Sequence, residues 1–378
     1  MRVRRCPDRA RTNVNGRMAT PSTLRIAARA DLAAMEGYHS PQVLVDVRLN
    51  TNESPYPPPA QWQELLADEV GSLDFHRYPD RRATALRQDL ADLHRVRPDQ
   101  IFVANGSNEV LQTILLTFTG AGRTVLTFEP TYALHAHIAR LVGATVVRYE
   151  RTESFELDSQ AVTQAIASER PSVTFLCSPN NPSGLVESRE VVEAALGATR
   201  SVPGLLVVDE AYGQFAPWSA QELFDEDMPL VVSRTFSKTW SMAAARLGYC
   251  VAPSWVVAEL DNVALPYHLD AVKQAAGRLA LTFEPQMRAR VAELVTERER
   301  LMDRLKLLDV QVWPSAANFI LFRPRSKSAE AVWQGLVDRG VLVRNCASWP
   351  RLNGCLRVTI GTRAEDDRFV SALEETLL

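Results

Sequence analysis

The sequence has little of what marks secreted, zinc-binding or membrane proteins. Its five cysteines are odd in number and scattered, with no Cys-x-x-Cys pair, which argues against a disulfide framework or a metal site and favours a reducing, cytoplasmic location. No run approaches about 18 consecutive apolar residues, the length that a membrane span requires. Charge of one sign is also lacking, since 42 Lys and Arg face 45 Asp and Glu, so neither nucleic acid nor an anionic membrane is indicated as a partner.

The amino terminus lacks the apolar core of a secretory signal. Residues 1–18 contain six arginines and almost no large apolar side chains, so we interpret them as a disordered leader, with Met18 as an alternative translation start. A basic targeting role is the less favoured alternative. What the chain does have is an ordinary globular composition, 46% apolar and 23% charged, and 378 residues, a length that usually divides into two domains.

Short apolar strands alternate with helices from about residue 60 to residue 265. The predicted strands cover 101–107, 124–130, 145–150, 172–179, 204–212, 229–237 and 248–253. The predicted helices cover 86–94, 109–118, 132–142, 161–168 and 187–199. Apolar runs of this kind, separated by helices, indicate a mostly parallel central sheet flanked by helices. The fold class is therefore α/β, with ligands expected at the carboxyl ends of the strands.

The pattern changes after about residue 266, where a smaller α+β domain is predicted. Its elements are a long charged helix over 285–308, strands over 310–314, 318–324, 341–345 and 354–361, and helices over 329–338 and 365–376. The predicted divisions are the leader 1–18, an amino-terminal arm 19–50 that joins the small domain, a large domain 51–275 and a small domain 276–378. The proline-rich segment 51–59 must be extended, and its composition favours a linker over a loop that lines a pocket.

Two residues at the ends of predicted strands could carry chemistry. Lys238 is flanked by Phe236 and Trp240, and an apolar setting lowers the pKa of a lysine, which yields the neutral amine that reacts with carbonyls. A surface lysine is the ordinary alternative. Asp209 could cap a helix or hold a cation. A nucleotide-hydrolysing site is excluded, since no GxxxxGK[ST] loop is present.

Two polar turns follow other strands. In NGSNE (105–109) the amide groups at a helix start, with the Ser107 hydroxyl, could bind phosphate, and an ordinary helix cap is the alternative. In SPNNPSG (178–184) two prolines and a glycine fix the turn that carries Asn181, and a plain loop is the alternative.

Together these motifs resemble the fold-type-I pyridoxal-phosphate aminotransferases. The ordered set is NGSNE, EPTY (129–132), SPNNPSG, VVDEAY (207–212), SRTFSK (233–238), AARLG (244–248) and LRVTIGT (356–362). Within that family the chain is similar to the histidinol-phosphate aminotransferases, through LNTNESPYPPP (49–59), FHRYPD (75–80) and GCLRVTIGTR (354–363). The resemblance covers roughly residues 25–378.

The resemblance implies a pyridoxal 5′-phosphate cofactor and a role for each matched residue. Lys238 matches the lysine that holds the cofactor and moves the substrate proton, and Asp209 matches the partner of the pyridine nitrogen. Asn181 and Tyr212 match residues that hydrogen-bond the phenolic oxygen, and Tyr132 matches the aromatic residue that stacks on the ring. The matched phosphate ligands are Ser107, Asn108, Ser237, Arg246 and, from the partner subunit of a homodimer, Tyr78.

Arginines are expected to select the substrate. Arg357 matches the arginine that binds its acidic end, Arg344 matches a second arginine for phosphate, and Arg363 is a third candidate. Tyr38 is expected to cover this pocket, and Asn181 to face it. A guanidinium suits carboxylate and phosphate equally, so these residues do not by themselves decide between the two.

The expected reaction is transamination of histidinol phosphate with 2-oxoglutarate, both small molecules, in a cytoplasmic homodimer. An aromatic amino-acid aminotransferase and a phosphothreonine-type decarboxylase are the alternatives on this scaffold. The chain departs from the family pattern at Ser183, which replaces a threonine, and at Asn108, which replaces an aspartate and still offers a polar side chain to the phosphate. Trp240 and Met242 replace smaller or aliphatic side chains near the cofactor, and these two changes leave the substrate range open.

Overall fold

Two β-sheets organise the chain. The computed structural model describes residues 26–27, 29–32, 35 and 43–378. The predicted leader and Tyr38 lie outside these residues. The chain divides into two units, residues 1–38 and 39–378, and in the first unit the described part forms a turn in which Leu32 N donates to Arg29 O over 2.9 Å. The second unit contains both sheets.

The larger sheet has seven strands in the order β2-β8-β7-β6-β5-β3-β4. These strands are β2 (Ile101–Ala104), β3 (Thr124–Glu129), β4 (Thr145–Glu150), β5 (Val173–Cys177), β6 (Leu205–Asp209), β7 (Leu230–Thr235) and β8 (Gly248–Val251). Only β8 runs antiparallel to its neighbours, so the carboxyl ends of the other six strands share one edge. β5, β6 and β7 are buried along their whole length, as strands covered on both faces must be.

Helices cover this sheet, and several begin at a side-chain cap. The helices of this part are α1 (Ala60–Gly71), α2 (Thr84–His94), α3 (Ser107–Phe118), α4 (Ala133–Leu141), α5 (Ser159–Glu169), α6 (Arg189–Thr199), α7 (Ser254–Val263) and α8 (Ala271–Leu281). The Asp158 and Ser188 side chains accept the amide hydrogen bonds that start α5 and α6. The sequence reading had not identified α1, α7 and α8.

The smaller sheet has the order β1-β11-β12-β10-β9. Its elements are β1 (Val47–Leu49), α9 (Glu284–Lys306), β9 (Val310–Val312), β10 (Phe319–Pro324), α10 (Ala329–Asp338), β11 (Val341–Asn345), β12 (Leu356–Thr359) and α11 (Arg363–Leu377). β1 pairs in parallel with β11, and the remaining pairs are antiparallel. The chain therefore enters the smaller sheet before it builds the larger one.

The predicted α/β class is confirmed, with a mostly parallel sheet, flanking helices and a second α+β part. Most predicted elements are present, with ends that differ by a few residues. The prediction of a linker at 51–59 is wrong, because Thr51 accepts a hydrogen bond from Lys238 and Asn52 is buried. Among the described residues, no helix has the length and apolar character that crossing a bilayer would require.

Candidate active site

The Lys238 amine lies just beyond the carboxyl end of β7. Its Nζ donates to the backbone oxygen of Thr51 over 3.0 Å and lies 5.8 Å from the centre of the Tyr212 ring. Burial of the amine, and secondly the charge of Arg357, lower the pKa of Lys238 to about 7. A large fraction of this amine is therefore neutral near neutral pH, as a nucleophile toward carbonyl carbon must be.

The Asp209 carboxylate, at the end of β6, is buried among groups that hold it in place. Its Oδ1 accepts from Ala211 N over 3.1 Å, and its Oδ2 lies 2.9 Å from His135 Nε2. The His135 ring stacks on Phe175 with centroids 4.4 Å apart, and its Nδ1 has no hydrogen-bond partner among the described residues. This arrangement keeps a carboxylate at a fixed place where it can pair with a cationic ring.

The segment Asn50–Thr51–Asn52 joins the two sheets at the site. Asn52 Nδ2 donates to the Tyr212 hydroxyl over 2.9 Å, while the backbone amide of Asn52 donates to Thr359 Oγ1 over 3.0 Å. Burial raises the pKa of Tyr212 to about 12. The phenol therefore stays protonated and remains a hydrogen-bond donor over the whole physiological pH range.

The start of α3, the Ser237 hydroxyl and the Arg246 guanidinium together form a cradle of hydrogen-bond donors. Ser107 is the first residue of the helix, and the Ser237 hydroxyl and the Arg246 guanidinium meet over 3.0 Å. A Cβ at Gly106, whose φ is +81°, would lie 2.7 Å from Arg246 Nη2. Helix amides, a hydroxyl and a guanidinium that converge at a glycine of positive φ suit a phosphate group.

Tyr132 and Asn108 lie beside this cradle. The Tyr132 hydroxyl donates to Asn108 Oδ1 over 3.2 Å, and the Tyr132 ring meets His135 edge to face with centroids 5.4 Å apart. Since His135 contacts Asp209, the aromatic residue, the carboxylate and the start of α3 form one connected cluster. The structure therefore brings together the residues that the resemblance assigned to different parts of one cofactor.

The turn after β5 presents Asn181 to the smaller sheet. Asn181 Oδ1 accepts from Arg357 Nη1 over 2.5 Å, and Arg357 Nη2 donates to Asn50 O over 3.0 Å. The turn itself is held by Asn180, which accepts from Thr131 Oγ1 over 2.9 Å. Gly184 lets the turn pack closely against Ser315, since a Cβ at this position, where φ is +83°, would overlap the Ser315 side chain.

Arg344 and Arg357 are direct neighbours across β11 and β12. They are only 7% and 4% exposed, so neither is an ordinary surface charge. Side chains directly opposite in an antiparallel pair stand about 4.5–5.5 Å apart at Cβ on one face of the sheet. Two buried guanidinium groups on one face have the charge and the hydrogen-bond donors to bind an anion of high charge.

Two predicted site residues are exposed. Arg363 is the first residue of α11, which Thr362 caps with Glu365, and it forms no hydrogen bond or ion pair with a described residue. Tyr78 is 80% exposed and stacks on the Tyr267 ring with centroids 4.5 Å apart. A role for Tyr78 in a partner subunit's site and a role for Arg363 in substrate binding stay predictions, as does the role of Tyr38.

The sequence reading did not identify His135, Asn50 and Asn52. His135 lies one turn into α4, three residues after Tyr132, and this spacing on the helix nearest to EPTY is the signal that could have found it. Asn50 and Asn52 belong to the LNTNE motif, which carried the resemblance, but the prolines that follow it suggested a linker.

Comparison with known proteins agrees with this geometry. The family model for aminotransferase class I and II matches residues 45–373. The histidinol-phosphate aminotransferase of Frankia casuarinae is 43% identical over 92% of this chain and 90% of its own length. That of Thermobifida fusca is 43% identical over 91% of this chain and 94% of its own.

Solved structures show the same fold. The structure of histidinol-phosphate aminotransferase from Sinorhizobium meliloti in complex with pyridoxal-5′-phosphate aligns with a TM-score of 0.79 at 24% identity, over 88% of this chain and 91% of the other. The predicted resemblance is thus confirmed by a family model and by close relatives over nearly the whole chain. The chain belongs to the aminotransferase class I and II family, among the proteins named histidinol-phosphate aminotransferase.

Proposed function

We propose that this chain is a pyridoxal-phosphate-dependent aminotransferase that converts histidinol phosphate and 2-oxoglutarate to imidazole-acetol phosphate and glutamate, a step of histidine biosynthesis. The relatives are named for this reaction, and they are 43% identical to this chain over more than nine-tenths of its length, which supports assigning the same reaction to it. The site residues supply the physical argument.

The described residues fit pyridoxal phosphate. The cradle of Ser107, Ser237 and Arg246, where a Cβ at Gly106 would press on the Arg246 guanidinium, suits its phosphate, and Asn108 and Tyr132 lie beside it. The buried Asp209 suits its ring nitrogen. When bound, this group supplies the electron sink that stabilises negative charge at the substrate Cα.

The chain's own residues would then bind, orient and move protons. Lys238 Nζ, with its pKa near 7, both accepts and donates the Cα proton at neutral pH. Asp209, held by His135, keeps the ring nitrogen protonated. Asn181 and Tyr212, fixed by Arg357 and Asn52, orient the ring through hydrogen bonds to its phenolic oxygen.

The single observation that carries the choice of substrate is the pair of buried arginines, Arg344 and Arg357, on adjacent strands. A carboxylate satisfies one guanidinium fork, whereas a phosphate dianion offers charge and acceptor oxygens for two. An aromatic amino acid carries one carboxylate and no phosphate, so it offers the two guanidinium groups less negative charge and fewer acceptor oxygens.

The test compares histidinol phosphate, phenylalanine and tyrosine as amino donors to 2-oxoglutarate, with the wild-type protein and Arg344→Ala. We expect histidinol phosphate to be the preferred donor and Arg344→Ala to raise its KM much more than those of the two aromatic donors. A preference for phenylalanine or tyrosine would instead support the aromatic alternative. Release of carbon dioxide from phosphothreonine, without glutamate formation, would support the decarboxylase.

We further propose a homodimer in the cytoplasm. The exposed aromatic pair of Tyr78 and Tyr267 supports an interface on this face, since large exposed aromatic groups are typical of contact surfaces. The four cysteines among the described residues are free and buried, which is consistent with a reducing compartment.

A further inference from the structure

Trp349 packs beside the two buried arginines, Arg344 and Arg357. It belongs to the turn that joins β11 to β12, where its backbone amide donates to Cys346 O over 3.0 Å and its oxygen accepts from Leu352 N over 3.2 Å. The side chain is 9% exposed and packs in a cluster of buried apolar residues. The ring position is therefore fixed by both backbone and packing.

The Trp349 ring contacts both guanidinium groups. Arg344 Cζ lies 5.5 Å from the ring centre and Arg357 Cζ lies 5.8 Å from it. Arg357 also lies 5.1 Å from the Phe319 ring, on β10. Since the face of an indole carries the strongest negative potential of any side-chain ring, one tryptophan stabilises two like charges that would otherwise repel each other.

The turn that contains Trp349 contacts the end of β4 in the larger sheet. Arg351, two residues later, donates to the backbone oxygen of Arg151 and lies 3.7 Å from Glu150. Ala133, next to Tyr132 at the start of α4, packs against the same apolar cluster as Trp349. A shift of Trp349 would thus change the position of the arginines relative to the cofactor residues.

We infer that Trp349 is a positioning residue that holds Arg344 and Arg357 side by side and thereby makes the site select a phosphate dianion over a carboxylate. Without the ring, the two cations separate, and a ligand that needs both of them at once loses more than a ligand that needs one. This inference rests on the proposed function, because it assigns the selectivity of that same site.

The chain offers a matched control. Trp313 belongs to the same apolar cluster, is 7% exposed, and lies 5.3 Å from the guanidinium of another arginine, Arg323. Replacing Trp313 therefore removes a similar buried indole and a similar cation contact, but it leaves the ring that faces Arg344 and Arg357 in place.

The experiment measures kcat and KM of the holoenzyme for histidinol phosphate and for phenylalanine, and inhibition by inorganic phosphate, in Trp349→Ala, Trp349→Phe and Trp313→Ala. For Trp349→Ala we expect the ratio of kcat/KM values, histidinol phosphate over phenylalanine, to fall at least tenfold, mainly through KM. Inhibition by inorganic phosphate should weaken by a similar factor. Trp349→Phe should retain the ratio within about threefold, since its ring also attracts cations.

The controls separate the outcomes. Trp313→Ala should lower thermal stability without changing the ratio, and an equal loss of the ratio in both alanine variants would overturn the inference. An unchanged ratio in folded Trp349→Ala would also overturn it. If the wild-type protein does not turn over histidinol phosphate, the proposed function fails. Inhibition by inorganic phosphate, followed with phenylalanine as donor, then tests the role of Trp349 separately.

Discussion

The amine of Lys238 has a lowered pKa because two effects disfavour its charge. Burial removes water from the ammonium, and Arg357 adds a like charge, so the pKa falls to about 7. A lysine at the surface would react with an aldehyde only slowly at this pH, because almost all of it is protonated. The site itself thus supplies the neutral nucleophile.

This lowered pKa predicts how the apoenzyme takes up pyridoxal phosphate. Below pH 7 the neutral fraction of Lys238 rises tenfold per pH unit, so the uptake rate should rise steeply and then level off above pH 7. Stopped-flow absorbance between pH 5.5 and about 9.5 measures the uptake rate. A lysine with the ordinary pKa near 10.4 would instead give a rate that rises throughout this range. A rate that still rises tenfold per unit above pH 8 would contradict the assignment, and Lys238→Ala should show no covalent capture after borohydride reduction.

His135 fixes the position of the Asp209 carboxylate through a direct contact between their side chains. The carboxylate needs a fixed position, and His135, stacked on Phe175, provides it. The spacing of this histidine three residues after Tyr132 is only a weak signal, because a single histidine on a helix face is common and its partner lies 74 residues away in the chain. Residues of this kind are found only when the fold brings distant segments together.

Asp209→Ala should reduce turnover far more than stability. A hydrogen bond to a charged group contributes about 1.5–3 kcal/mol, and about 1.4 kcal/mol corresponds to a tenfold rate, so we expect a loss of roughly 100-fold in kcat. His135→Phe keeps the carboxylate and its bond from Ala211, and its loss should be about tenfold. Steady-state kinetics and thermal melting measure both variants, and wild-type turnover in Asp209→Ala would remove this residue from the mechanism.

At the scale of elements, the strands of the larger sheet could be predicted because their apolar runs are short and bounded by turns. The same reasoning found the functional residues at strand ends, since Asp209 closes β6 and Lys238 follows β7. The proline-rich segment could not be predicted in this way. Its prolines dictate an extended chain, but whether an extended chain lines a site depends on what packs against it, here Lys238 and Tyr212.

The contact between β8 and the start of α3 yields a prediction about cofactor affinity. A Cβ at Gly248, the first residue of β8, would overlap backbone atoms of Gly106 and Ser107, which cannot move aside without shifting the cradle. Overpacking of this kind costs about 1–3 kcal/mol, so Gly248→Ala should weaken pyridoxal-phosphate binding about tenfold or more. Equilibrium titration of the apoenzyme measures the affinity.

Gly197 provides the matched control for that variant. It lies within α6, where a Cβ would meet nothing within 4 Å. Alanine in a helix interior is more stable than glycine by about 0.5–1 kcal/mol, so Gly197→Ala should raise the melting temperature slightly and leave cofactor affinity unchanged. Equal cofactor affinity in Gly248→Ala and Gly197→Ala would show that the cradle does not depend on this close approach.

At the scale of the whole molecule, the two sheets meet at one site because the chain passes from the smaller sheet to the larger one after β1 and returns after β8. Asn50 follows β1 of the smaller sheet and contacts Arg357, while Asn52 contacts Tyr212 beyond the end of β6. The site therefore needs residues from both ends of the sequence. Because the site is built from residues that are far apart in the sequence, the family motifs spread over more than 300 residues.

The proposed homodimer predicts complementation between two defective subunits. If Tyr78 serves the partner's site, a dimer of one Lys238→Ala subunit and one Tyr78→Phe subunit contains one site that lacks both residues and one site that lacks neither. Its activity at limiting pyridoxal phosphate should then be about half that of the wild-type dimer. Differently tagged, co-expressed subunits purified through both tags give the sample, and a Lys238→Ala and wild-type heterodimer is the control.

The opposite arrangement gives a different result. If Tyr78 acts within its own subunit, the only site with a lysine lacks Tyr78, so the mixed dimer should show half the activity of the Tyr78→Phe homodimer. The exposure of the Tyr78 ring, 80%, argues for the first arrangement, because a phenol that served its own subunit's buried cradle would be enclosed by that subunit. A wild-type affinity for pyridoxal phosphate in the Tyr78→Phe homodimer would exclude both arrangements, since neither leaves the cofactor phosphate without its contact to Tyr78.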